Sequence, residues 1–95
     1  MEKYEGIFIM KPDLNEESLK ALIGSIEEEI KKNKGTIDNM ETWGKKIMAY
    51  SIKKFTDGVY YKADFSLAPA SITDMERKLR LNENVLRFMI IKKNK

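Results

Sequence analysis

The chain of 95 residues contains no cysteine and no histidine. The first absence removes disulfides, thiolate nucleophiles and soft-metal sites, and the second removes the usual general base. Glycine is sparse, and Gly6, Gly24, Gly35, Gly44 and Gly58 are too scattered to form a loop that cradles phosphate. No apolar run approaches the roughly 20 residues of a bilayer span, and the first ten residues lack the pattern of a signal peptide. The only dense acidic run, Glu27-Glu28-Glu29, falls on a helical pattern in which successive side chains diverge by about 100°, so it reads as a solvated face. With no Ser-His, Cys-His or paired-carboxylate constellation, the expectation is a protein that is not an enzyme. Neither a cofactor, a metal, a small-molecule substrate nor a membrane partner is expected, and the expected location is cytoplasmic.

What is present is 42% hydrophobic and 35% charged residues, a mixture that supports one core under a heavily charged surface. A single domain over residues 1–95 is expected. The net charge of +3 is modest, but it is unevenly placed. Six acids and one base lie between Asp13 and Glu29, whereas seven bases and one acid lie between Arg77 and Lys95. Between Trp43 and Lys62, Lys45, Lys46, Lys53, Lys54 and Lys62 face only Asp57.

The pattern predicts a strand over Tyr4–Met10 and then a helix. Asn15 is its expected N-cap, Glu16 and Glu17 suit the positive end of the helix dipole, and Leu19, Leu22, Ile23, Ile26 and Ile30 form one apolar stripe. Gly35 is expected to close the helix in the left-handed conformation. A long second strand should run from Thr36 to about Ile52 with a bulge near Gly44, followed by a turn at Phe55–Gly58. Val59, Tyr61, Ala63, Phe65 and Leu67 then alternate with Tyr60, Lys62, Asp64 and Ser66, which predicts a third strand with one covered face. A second helix capped by Ser71 should carry Ile72, Met75 and Leu79 inward, end at Asn82 or Asn84, and lead into a strand over Val85–Lys92. The order strand-helix-strand-strand-helix-strand predicts an α+β, ferredoxin-like fold: a four-stranded antiparallel sheet with two helices on one face.

Such a sheet leaves its other face open, and binding is the function the composition allows. Lysines around a hairpin and cations beside Tyr60 and Tyr4 are the residue types that meet phosphates and bases. Arg87 stands out because it interrupts an otherwise apolar strand. Trp43 is expected as a partly buried anchor of the second strand, and Tyr50 and Ile52 as hairpin core. The Gly-aromatic run of RNA-recognition motifs is missing, which argues against base reading by that route.

The segment Gly44-Lys45-Lys46-Ile47-Met48-Ala49-Tyr50-Ser51-Ile52-Lys53-Lys54, with Gly58 and Tyr60 after it, resembles the central signature of the bacterial small-subunit ribosomal protein family numbered six. Tyr4-Glu5, the Gly35 turn and the stretch Leu79–Arg87 fit the same family in the same order, so the likeness spans essentially the whole chain. The resemblance implies a ferredoxin-like fold and a structural role on the central domain of small-subunit ribosomal RNA. It also implies a protein partner, the eighteenth small-subunit ribosomal protein, in a heterodimer. The RNA-binding positions it implies are Tyr4, Lys45, Lys46, Lys53, Lys54, Arg87 and Lys92, with phosphate contact for the cations and packing or stacking for Tyr4. Ser51, Lys46 and Met48 depart from the proline, arginine and leucine common in the family, and the chain stops soon after Lys92, where many relatives continue. The alternative from another class is a self-associating ferredoxin-like regulatory module that senses a small anion.

Overall fold

In the computed structural model, which describes residues 2–52 and 54–93, the chain runs β1 (Glu2–Met10), α1 (Glu16–Lys32), β2 (Thr36–Ile52), β3 (Phe55–Leu67), α2 (Pro69–Leu81) and β4 (Val85–Lys92). The strands pair antiparallel in the order β2-β3-β1-β4, which is the ferredoxin-like arrangement expected. β1 is central, flanked by β3 and β4, although it opens the chain.

One face of this sheet is covered. Tyr4, Phe8 and Met10 from β1 and Tyr61, Ala63, Phe65 and Leu67 from β3 form a core with Leu22, Ile26 and Ile30 of α1 and Met75 and Leu79 of α2. Each large apolar side chain fully buried there contributes about 1.5–3 kcal/mol relative to exposure. Aromatic rings tie the layers together, with Tyr4 and Phe65 stacked at 5.9 Å and Phe8 and Tyr61 tilted at 6.1 Å between centroids.

α1 starts as the sequence suggests, since the Asn15 side chain accepts a hydrogen bond from the Ser18 amide at 2.7 Å. Its end differs. Lys34, at φ 66°, takes the left-handed position expected of Gly35, while the Gly35 amide donates to the Ile30 carbonyl at 2.8 Å in a Schellman-type closure. Glycine is needed at 35 for another reason: a Cβ there would lie 2.5 Å from the Ser66 carbonyl oxygen. α2 also begins earlier than expected. Ala68, not Ser71, is the N-cap, because Pro69 has φ preset for the first helical position and lacks the amide hydrogen that would go unpaired there.

The β2–β3 hairpin is longer than the sheet it belongs to. The strands continue to Ile52 and restart at Phe55, so the expected turn at Phe55–Gly58 is strand instead. Three irregularities bend β2. Asp38 and Trp43 are extra residues relative to β3, and near the tip residues 48–51 stand opposite Thr56 alone. Gly44, at φ 80°, supplies the left-handed residue beside the Trp43 bulge, at the place the sequence suggested.

Candidate nucleic-acid interface

In an antiparallel pair, residues directly opposite one another project to the same side. Ile9 stands opposite both Tyr60 and Arg87, and Ile7 opposite both Lys62 and Met89, so these six side chains share the face that the helices leave open. Glu5, Asp64 and Ile91 extend the same face toward the other end of the strands.

The two ends of this face differ in charge. At the Glu5 end three cations are neutralised: the Lys62 ammonium lies 2.9 Å from Glu5 and 3.8 Å from Glu41, Lys93 lies 3.4 Å from Asp64, and Lys92 lies 3.2 Å from Glu2, while Lys3 is exposed there without an ion pair among the described residues. The Glu5 hydrogen bond holds Lys62 above the ordinary lysine pKa, so its charge is committed to that pair. At the Arg87 end, Lys11, Lys45, Lys46, Lys54 and Arg87 take part in no ion pair among the described residues. Lys46 instead lies over the Trp43 ring at 5.4 Å, and Lys11 lies 6.0 Å from the Phe55 ring.

Lys45 stands opposite Val59, on the helix-covered side, and Lys46 opposite Gly58, on the open side, so the pair points to opposite sides, as alternation requires, and both side chains are exposed. Lys54 sits at the hairpin tip with φ 72°. Arg87 projects from the open face and donates from Nη1 to the Tyr50 hydroxyl at 3.0 Å. Beside it a cleft of about 300 Å³ is lined by Ile7, Ile9, Trp43, Tyr60, Arg87 and Met89.

Of the residues implied by the resemblance, Lys46 and Arg87 are on the open face, and Lys45 and Lys54 lie at the same end of the sheet. Lys53 lies outside the described residues. Lys92 belongs to the opposite end of β4 from Arg87 and is paired with Glu2. Tyr4 is a correction to any stacking role, because it is opposite Phe65 and only 7% exposed, with its ring in the core. Its contribution is packing. Tyr50, expected in the hairpin core, is 66% exposed and engages Arg87. Sequence reasoning passed over Lys11, although its position just after Met10, which pairs with Val85, already assigns it to the Arg87 end of the sheet.

The family model of ribosomal protein S6 matches residues 3–92. The chain belongs to the ribosomal protein S6 family. The small ribosomal subunit protein bS6 of Geotalea daltonii is 42% identical over the whole of this chain and 74% of its own length. That of Dictyoglomus turgidum is 39% identical over 95% of this chain and 93% of its own length. Among solved structures, 30S ribosomal protein S6 from Thermotoga maritima superposes with a TM-score of 0.92 at 29% identity, covering 97% of this chain and 87% of that one. The C-terminal domain of the Mycobacterium tuberculosis MgtC protein reaches a TM-score of 0.69 at 16% identity over 98% of this chain and 88% of that one, which shows a shared fold alone. S6 is a structural component of the small ribosomal subunit, and its association with RNA and translation follows from that membership.

Proposed function

We propose that this S6-family chain binds the central domain of small-subunit ribosomal RNA through the Arg87 end of its open face, jointly with the eighteenth small-subunit protein, in the cytoplasm. The observation that carries this reading is the sorting of charge. Lys11, Lys45, Lys46, Lys54 and Arg87 lie at one end of the sheet without carboxylate partners among the described residues, whereas at the other end Lys62, Lys92 and Lys93 are each paired and Lys3 alone of the open-face cations is not. Unpaired cations meeting a phosphate backbone release counterions, and the binding they provide depends on shape and charge rather than on base identity. Lys3, Lys31, Lys32, Lys34 and Arg80 also lack ion pairs among the described residues; Lys31 and Lys32 occupy the last turn of α1, where the helix's own carbonyls account for them, and Arg80 lies over the Phe88 ring at 5.8 Å.

The cleft beside Arg87 supports the heterodimer half of the reading. Its walls are mostly apolar, and Met89 and Ile91 next to it are both 47% exposed. An apolar anchor from a protein partner would cover them, and the neighbouring cations would remain available to RNA.

A central-domain RNA fragment titrated across a salt series, with and without the eighteenth small-subunit protein, tests both halves. The expected result is affinity that rises when the partner is present and falls by roughly 0.7–0.9 log units per log unit of salt for each phosphate neutralised. Salt-independent binding, or none in either condition, overturns the reading and directs attention to a self-associating, anion-sensing module.

A further inference from the structure

β2 and β4 form opposite edges of the sheet, yet Tyr50 near the end of β2 meets Arg87 of β4. The hairpin tip must therefore cross over β3 and β1 on the open side. The ladder shows how: residues 48–51 leave their register with β3, where they stand opposite Thr56 alone. A recess of about 160 Å³ under the tip is lined by Met48, Tyr50 and Ile52 from the hairpin and by Ile9, Tyr60 and Arg87 from the sheet. Met48 is only 8% exposed, so the tip is packed against what lies beneath it.

We propose that Tyr50 is a positioning residue for Arg87, and that their contact is a clasp aligning the hairpin lysines and the guanidinium as one phosphate-binding surface. The proposal rests on the RNA-binding reading above. Its chemistry follows from the hydrogen-bond inventory. The phenol oxygen accepts one N–H of the guanidinium and leaves Arg87's other donors for an anion. Arginine's fork is effective when its plane is already fixed, because less side-chain freedom is lost on binding. Without the clasp, Arg87 projects from an edge strand with no carboxylate to hold it, and the tip has no hydrogen-bonded anchor across the sheet among the described residues.

Tyr50→Phe keeps the ring and removes only the hydroxyl. The expected result is a loss of about three- to ten-fold in affinity for the central-domain RNA fragment, with unchanged melting and an unchanged salt slope, because no charge is lost. Arg87→Ala should weaken binding and also reduce the slope by nearly one, and adding Tyr50→Phe to it should cause no further loss. In the free protein, amide hydrogen exchange across residues 45–52 should accelerate in both single variants. Full affinity in Tyr50→Phe, or an undiminished loss when it is combined with Arg87→Ala, overturns the positioning role. Unchanged exchange in both variants overturns the clasp itself. If the wild-type protein shows no RNA binding while exchange responds as expected, the clasp stands as a structural contact only and its role in RNA binding falls with the broader reading.

Discussion

Tyr61 carries the least comfortable atom in the core: its side chain is 2% exposed and its hydroxyl has no hydrogen-bond partner among the described residues. Burial pushes its pKa up to about 12, and the Glu27 carboxylate adds to the rise. A buried hydroxyl without a partner loses its hydration for no return. Tyr61→Phe is therefore expected to leave stability unchanged or raise it by about 1 kcal/mol in urea unfolding. A clear loss would mean that the hydroxyl has an effective partner in solution, with Glu27 the nearest candidate. Residue placement was only partly legible in the sequence. In β1 both parities are apolar, with Tyr4, Phe8 and Met10 on one and Ile7 and Ile9 on the other, so the strand alone cannot say which face is buried. The answer lies in pairing. β3 alternates clearly, and Tyr4 stands opposite Phe65 on its buried side.

Elements were easier to read than their ends. Asn15, the acids after it and the apolar stripe specify α1, whereas α2 starts ahead of the capping-type residue Ser71 because Pro69, with φ preset and no amide hydrogen to leave unpaired, suits the first helical turn after Ala68. Asp57-Gly58 has the composition of a turn, yet the pairing of β3 with β2 continues through it. Nothing in the sequence announces the contact that ties α1 to α2, since Glu29 and Lys78 are 49 positions apart. Glu29 accepts from the Lys78 ammonium at 2.9 Å, and that bond is the main reason its carboxyl titrates below the ordinary value of 4.5. A depressed folded pKa gives stability that is present above the unfolded value and lost as pH falls through the folded one. Glu29→Gln should thus flatten the decline in stability that sets in as the pH falls below the ordinary value of 4.5, measured as urea midpoints. A variant with the wild-type slope would show that the pair contributes nothing to folding.

For the molecule as a whole, the sequence revealed that charge is uneven but not that the sheet sorts it. That sorting depends on which lysines meet carboxylates from distant strands, as Lys62 does with Glu5 and Glu41. Two variants separate the ends. Lys46→Ala combined with Lys54→Ala should reduce the salt slope of RNA binding by roughly 1.4–1.8 while melting stays unchanged, whereas Lys92→Ala should change the slope little. Equal effects from both ends would mean that RNA does not respect the division. The strand order β2-β3-β1-β4 has a further consequence for synthesis. The central strand is made first, but its second neighbour, β4, is made last, so the sheet cannot close until residues 85–92 have emerged. Because Arg87 lies on that closing strand, a nascent or truncated chain lacks both a finished sheet and the guanidinium that meets the Tyr50 hydroxyl, so the end of synthesis is also the moment at which hairpin and sheet are joined.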